Sequence, residues 1–258
     1  MNPLIQFKKA SVIVLGTFVL VCFAFLPQMQ AASGLGPEIP GNPDGCYPSF
    51  TTAEGCSALA LVDLPSGIGN TGIGWFSLFL ANGAAFNTGV GAGALALTTG
   101  LPPGVATNDT AVGTAAMLLN TDGHDNTAVG TDALLNNDHG LSNAAVGSFA
   151  LFNNGSGEAN NAMGNRALLQ NRSGFGNTAI GDLALENNDS SNNSVADFNT
   201  AVGDLALRNN IDGAGNTAVG SSALQSNLAS QLTAVGFRAL EKNTTPLRWH
   251  ERGRFRAL

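Results

Sequence analysis

Asn126-Thr127-Ala128-Val129-Gly130 is followed, three and four residues after its Gly, by Ala133-Leu134. The same pattern returns at Asn177-Thr178-Ala179-Ile180-Gly181, from Asn199 to Gly203 and from Asn216 to Gly220. Its glycine recurs at Gly74, Gly91, Gly113, Gly130, Gly147, Gly164, Gly181, Gly203, Gly220 and Gly236. Most of these are 17 residues apart; two intervals are five residues longer and the last is one shorter. The unit is therefore N-T-A-V-G-x-x-A-L-x-x-N-x-x-G-x-x, with positions 1 to 17 counted from the first Asn. Position 4 is always Val, Ile or Met, position 8 is Ala except at Ser77, and position 9 is Leu except at Met117. A degenerate unit, Thr52-Ala53-Glu54-Gly55-Cys56-Ser57-Ala58-Leu59, precedes the others. It carries Glu54 where they have an apolar residue, which reads as an end cap. The longer intervals place insertions before Asp109 and before Asn199, in the turn part of the unit.

A unit this short cannot bury its own apolar side, but a stack of copies buries a continuous core. The fold class is mainly β: a parallel β-solenoid or β-roll of about ten 17-residue coils over residues 52–243. Thr-Ala-Val is a short strand, and stacked copies pair in parallel about 4.8 Å apart, giving an array about 50 Å long. The recurring Gly suits a corner with positive φ or close backbone approach. Asn at positions 1 and 12 suits turns, and in register such side chains form amide ladders. The second half of the unit does not alternate with period two. Its adjacent Ala and Leu, often with a further apolar residue (Leu118, Leu135, Phe152, Leu169), read as one helical turn rather than a strand, although spacing alone leaves both open. Positions 3 and 4 are both apolar in all ten units, yet neighbours in a strand point to opposite faces. One side fills the coil; the other, with small residues allowing close approach, is expected to face another chain.

The rest of the sequence frames this array. Only 11% of the 258 residues are charged, 44% are hydrophobic, Gly numbers 33 and the net charge is −7. That excludes a solvated disordered chain and a helical bundle, and makes nucleic acid an unlikely partner by charge. Lys8 and Lys9, the apolar run Ala10 to Leu26, Pro27 and the small residues Ala31 and Ala32 read as a signal peptide over 1–31 and hence as secretion or cell-surface display. No later segment reads as a membrane span, so none is expected in the mature chain. Residues 32–51 are an N-terminal linker and disulfide region. Cys46 and Cys56 are an even pair in an exported chain, and a disulfide closing this short loop is the natural reading. Residues 244–258 break the pattern. They hold Arg248, Trp249, Arg252, Arg254 and Arg256, and read either as a basic cap or docking tail or as an out-of-frame or truncated end, the second being favoured.

The N-T-A-[IV]-G-x-x-A-L units resemble the head repeats of trimeric autotransporter adhesins, the YadA-like or haemagglutinin-type repeats, with their N-[ST]-x-A-[IV]-G signature. The resemblance covers Thr52 to Asn243. It implies a left-handed parallel β-roll, three chains around one axis and a surface or adhesive role. The chain departs from that family in its longer unit with a non-alternating second half, in the absence of a coiled-coil stalk and C-terminal anchor strands, and in the absence of a self-cleaving chaperone domain.

Catalytic patterns do not emerge. His124 and His139 sit in variable turns beside Asp125 and Asp138, as exposed turn residues rather than metal ligands. Ile211-Asp212-Gly213-Ala214-Gly215-Asn216 resembles a calcium-binding turn only faintly and is not repeated, so no metal and no cofactor are expected. The acids are scattered rather than convergent, which argues against a glycan-cleaving enzyme. Trp75, Phe76 and Phe79 form the most aromatic stretch and are expected to pack the first full coil against the disulfide cap. The expectation is a non-enzymatic exported structural or adhesive repeat protein. It is a homo-oligomer, with a trimer favoured, whose variable turns meet a glycan or matrix protein. The alternative is a monomeric secreted ligand- or ice-binding solenoid presenting a row of Thr71, Thr88, Thr110, Thr127, Thr178, Thr200, Thr217 and Thr233.

Overall fold

The computed structural model describes residues 46–47, 51–55, 57–61, 67–99, 106–191 and 195–243. The segment 1–31 read as a signal peptide, Cys56 and the tail 244–258 lie outside the described residues, and with Cys56 the expected Cys46–Cys56 bridge. One twelve-stranded sheet runs in strict chain order. It opens with β1 (Cys46–Tyr47), antiparallel to β2 (Thr51–Glu54). From β2 onward every pairing is parallel: β3 (Thr71–Ile73), β4 (Thr88–Val90), β5 (Thr110–Val112), β6 (Thr127–Val129), β7 (Ala144–Val146), β8 (Asn161–Met163), β9 (Thr178–Ile180), β10 (Thr200–Val202), β11 (Thr217–Val219) and β12 (Thr233–Val235). The chain is a parallel β-solenoid. Each position stacks on its own equivalent, and the longer units do not disturb this: Thr88 pairs with Thr110 and Thr178 with Thr200.

The second half of the coil is not helical; among the described residues there is no helix. Positions 7 and 9 both have positive φ, as in Asp132 (56°) and Leu134 (50°), while the residues between them do not. The backbone makes two overlapping tight turns. One is closed by Ala94 N–H donating to Gly91 O (3.3 Å) and the next by Ala96 N–H donating to Gly93 O (3.3 Å). A left-handed residue at the third place of each marks a type II turn. The alternation swings successive N–H groups along the stack. Asp132 N–H donates to Thr114 O of the coil before, and Leu134 N–H donates to Ala150 O of the coil after. A helical turn is about 10 Å across and uses its amides internally, which coils stacked about 4.8 Å apart cannot accommodate. Left-handed Leu and Asp cost about 1–2 kcal/mol each. The inter-coil hydrogen bonds and the complete burial of Leu134 and its equivalents offset that.

The core is three stacked rows: Ala at position 3, Ala at position 8 and Leu at position 9. Sidedness in the strand is the reverse of the expectation. The small residue at position 3 points inward and the larger Val, Ile or Met at position 4 points out. The coil is thin, and the Leu row opposite leaves space for a methyl group only. Glu54 is accommodated for the same reason: its position faces solvent, and β2 pairs in register with β3 like any interior strand. The Ser77 exception is also answered across coils. Ser77 Oγ donates to Gly89 O (2.8 Å), and a Cβ on Gly89 would stand 2.6 Å from that hydroxyl.

The recurring Gly is required twice over. Gly130 has φ 141°, and a Cβ built there would lie 2.5 Å from the carbonyl oxygen of Gly147 on the next coil. L-residues do not tolerate that φ, and backbone cannot retreat as a side-chain tip can.

Candidate functional site

Two features distinguish this solenoid: an outward strip along the sheet and two buried amide ladders. The strip follows from the pleat. Positions 2 and 4 share the outward face, so a Thr row and a Val/Ile/Met row run side by side. Val112, Val129, Val146 and Val219 each keep 38% of their surface exposed, and Met163 keeps 54%. The Thr row is interrupted by Ala144 and Asn161. An apolar strip on a regular parallel sheet, exposed in eight of ten coils and half-buried at Val90 and Val202, is the kind of surface that other chains or ligands cover.

Beneath it, every buried side-chain nitrogen and oxygen among the described residues has a hydrogen-bond partner. At position 12, Asn137 Nδ2 donates to Asn120 Oδ1 (2.7 Å) and Asn154 Nδ2 to Asn137 Oδ1 (2.8 Å). The ladder continues through Asn171, Asn188, Asn210 and Asn227 to Asn243. Most of these amides also cap their own turn, as Asn137 Nδ2 does by donating to Gly140 O (3.0 Å). Gly at position 15 makes room for this ladder in the coils that have it: a Cβ on Gly140 would collide with the Asn137 and Asn154 amides. Position 15 is Ala in the two coils without a position-12 Asn (Ala84, Ala106), and also beside Asn188 and Asn227 (Ala196, Ala229).

The ten marker glycines line one corner of the stack. His124 Nδ1 lies 2.8 Å from Asp125 Oδ2; that contact, with the Asn108 amide, holds the Asp125 carboxyl below its ordinary range. His139 reaches Asp122 (3.3 Å) and Asp138 (3.4 Å) across the turns. Among the described residues no three His, Cys, Asp or Glu side chains converge as a metal site. Asp212 accepts from the Ser191 hydroxyl, while Gly213 makes room for the Asn210 amide, so the faintly calcium-like turn serves the ladder. Trp75, Phe76 and Phe79 stack on one another, with centroids 4.5 and 4.6 Å apart, and Trp75 stays half exposed. Among the described residues no helix is long and apolar enough to cross a membrane.

Three features escaped sequence reading. Glu186 is buried between Arg166 (2.9 Å) and Arg208 (2.6 Å), one from each neighbouring coil; only stacking at the unit length brings them together. Phe149, Phe152, Asn153, Arg166, Leu169 and Gln170 line a shallow groove of about 380 Å³. Asp109 occupies a position that is Asn in most coils and is completely buried. Its signal was present as the one acid in the position-1 row.

No protein-family model, no curated protein and no solved structure matches the chain.

Proposed function

We propose that the chain is a non-enzymatic, exported structural or adhesive repeat protein that assembles with copies of itself through the outward strand face. The observation that carries this reading is the outward Val/Ile/Met row, exposed in eight of ten coils, beside a row of Thr. Solvent sets no requirement for an apolar residue there in every one of ten coils; a packed neighbour does. A trimer is the favoured state, by the resemblance of the repeats, and the variable turns are then left free to meet a glycan or matrix protein. Export rests on the leader read at 1–31, and the scatter of acids supports a non-catalytic role. Light scattering on a sizing column tests the reading: a trimer supports it, and a monomer at micromolar concentration overturns the assembly. A second reading is favoured by the Thr row, whose stacking on a regular parallel sheet also suits a repetitive ligand such as an ice surface. A monomer with thermal hysteresis would select it.

A further inference from the structure

The position-1 row is Asn in the coils at Asn70, Asn87, Asn126, Asn143, Asn160, Asn177, Asn199 and Asn216, all buried. Each of these amides makes two kinds of hydrogen bond. Its Oδ1 accepts the backbone N–H of the next row member, as Asn126 Oδ1 does from Asn143 N–H (2.9 Å). Except at Asn177, whose Nδ2 donates to the Asn160 and Asn171 Oδ1 atoms, its Nδ2 donates to the position-15 carbonyl of its own coil, as Asn87 does to Ala106 O (3.0 Å) and Asn126 to Gly140 O (2.9 Å). Asp109 keeps the accepting bond, its Oδ1 taking Asn126 N–H at 2.9 Å. As a carboxylate it has no hydrogen for the donating one. Asn120 covers the gap, its Nδ2 donating both to Asp109 Oδ2 (2.8 Å) and to Gly123 O (3.1 Å). It is available because the coil before carries Thr98 at position 12, so no amide oxygen precedes it in that ladder; the Thr98 hydroxyl donates to Leu95 O instead.

We propose that Asp109 is a proton-operated joint in the amide spine, next to the first insertion. Protonated, its Oδ2–H takes the place of the Asn amide and donates to Gly123 O. Ionised, it leaves a charge inside the stack and loosens the coil there. The surroundings favour the neutral form. No ionisable side chain lies between Asp63 and Asp109, so the coils before it offer no counter-charge. Its own coil holds Asp122, His124 and Asp125, and the next holds Asp132, Asp138 and His139. Of these, His124 draws Asp109 toward ionisation, together with the hydrogen bonds from Asn126 and Asn120. Burial outweighs all three and raises the carboxyl from 3.8 to about 7. The folded chain therefore holds a proton that the unfolded chain releases from about pH 4. The stability contributed is complete below that pH and is lost as pH rises through about 7.

The test is the full chain and its Asp109→Asn variant, each melted from pH 4 to pH 8. The wild type should lose ground to the variant as pH rises, with their folding constants diverging about 100- to 1,000-fold. Carbon-detected titration of the Asp109 carboxyl should give a midpoint well above that of an ordinary Asp. Exchange of the Asn126 amide should quicken with pH more than intrinsic exchange does, in the wild type only. A stability difference constant across pH, or a carboxyl titrating near 4, would overturn the proposal.

Discussion

Gly130 and Gly236 share a conformation but not an environment. Their φ values are 141° and 128°, and both end the same short strand sequence, Thr-Ala-Val. Above Gly130 sits the backbone of Gly147, whereas beyond Gly236 the nearest atom to a built Cβ is Ala239 Cβ at 4.0 Å. The last described coil thus retains the local geometry without a described coil beyond it. Leu240 is 54% exposed where the interior position-9 residues are fully buried, and Val235 is 70% exposed. The contrast separates what a single unit's backbone demands from what stacking demands. In a quasi-one-dimensional array a defect at the end frays one coil, while one in the middle uncouples two sub-arrays.

Substitution at equivalent positions tests that separation. Gly130→Ala should cost at least about 3 kcal/mol, since it adds a backbone collision to a forbidden φ, and Gly236→Ala about 1–3 kcal/mol for the φ alone. Chemical denaturation of both variants checks this, and equal losses would remove stacking from the account. Leu134→Ala should cost about 2–5 kcal/mol by leaving a cavity, and Leu240→Ala under about 1 kcal/mol; the same melts apply. Asn137→Ala breaks the ladder on both sides and should cost about 1–3 kcal/mol. Asn243→Ala removes only its terminal rung, donated to Asn227 Oδ1, and should be near neutral. Hydrogen exchange should localise the first loss to the coils around residue 137. The smallest effect on stability is expected for Val146→Lys, within about 0.5 kcal/mol, because that side chain faces outward. On the proposed assembly its effect should be the largest: light scattering should show dissociation, whereas Val235→Lys in the last described coil should leave the mass unchanged.

The period, the parallel strands and the glycine corner were legible because each has a chemical signature of its own. Thr-Ala-Val has the residues of a strand, and only Gly satisfies the corner. Asn at positions 1 and 12 was legible as both turn and ladder. The sidedness of the strand was not. Ala128 and Val129 are both apolar, and only the width of the coil decides which is enclosed. The tandem turns were hidden because left-handed conformations fall on Leu134 and Asp132, and Leu above all carries no such preference. There the stack imposes the backbone and the local sequence does not. Asp109 was visible as an exception in a row, but its burial follows from the ladder around it.

The unbroken register across the two longer units carries a practical consequence. Five additional residues fall between positions 12 and 15 of the sequence in two coils, and strand pairing resumes as if nothing had intervened. That segment of the unit is a mounting point. Foreign peptides inserted there would be presented at heights set by the coil chosen, in steps of about 4.8 Å, without retuning the coils above or below.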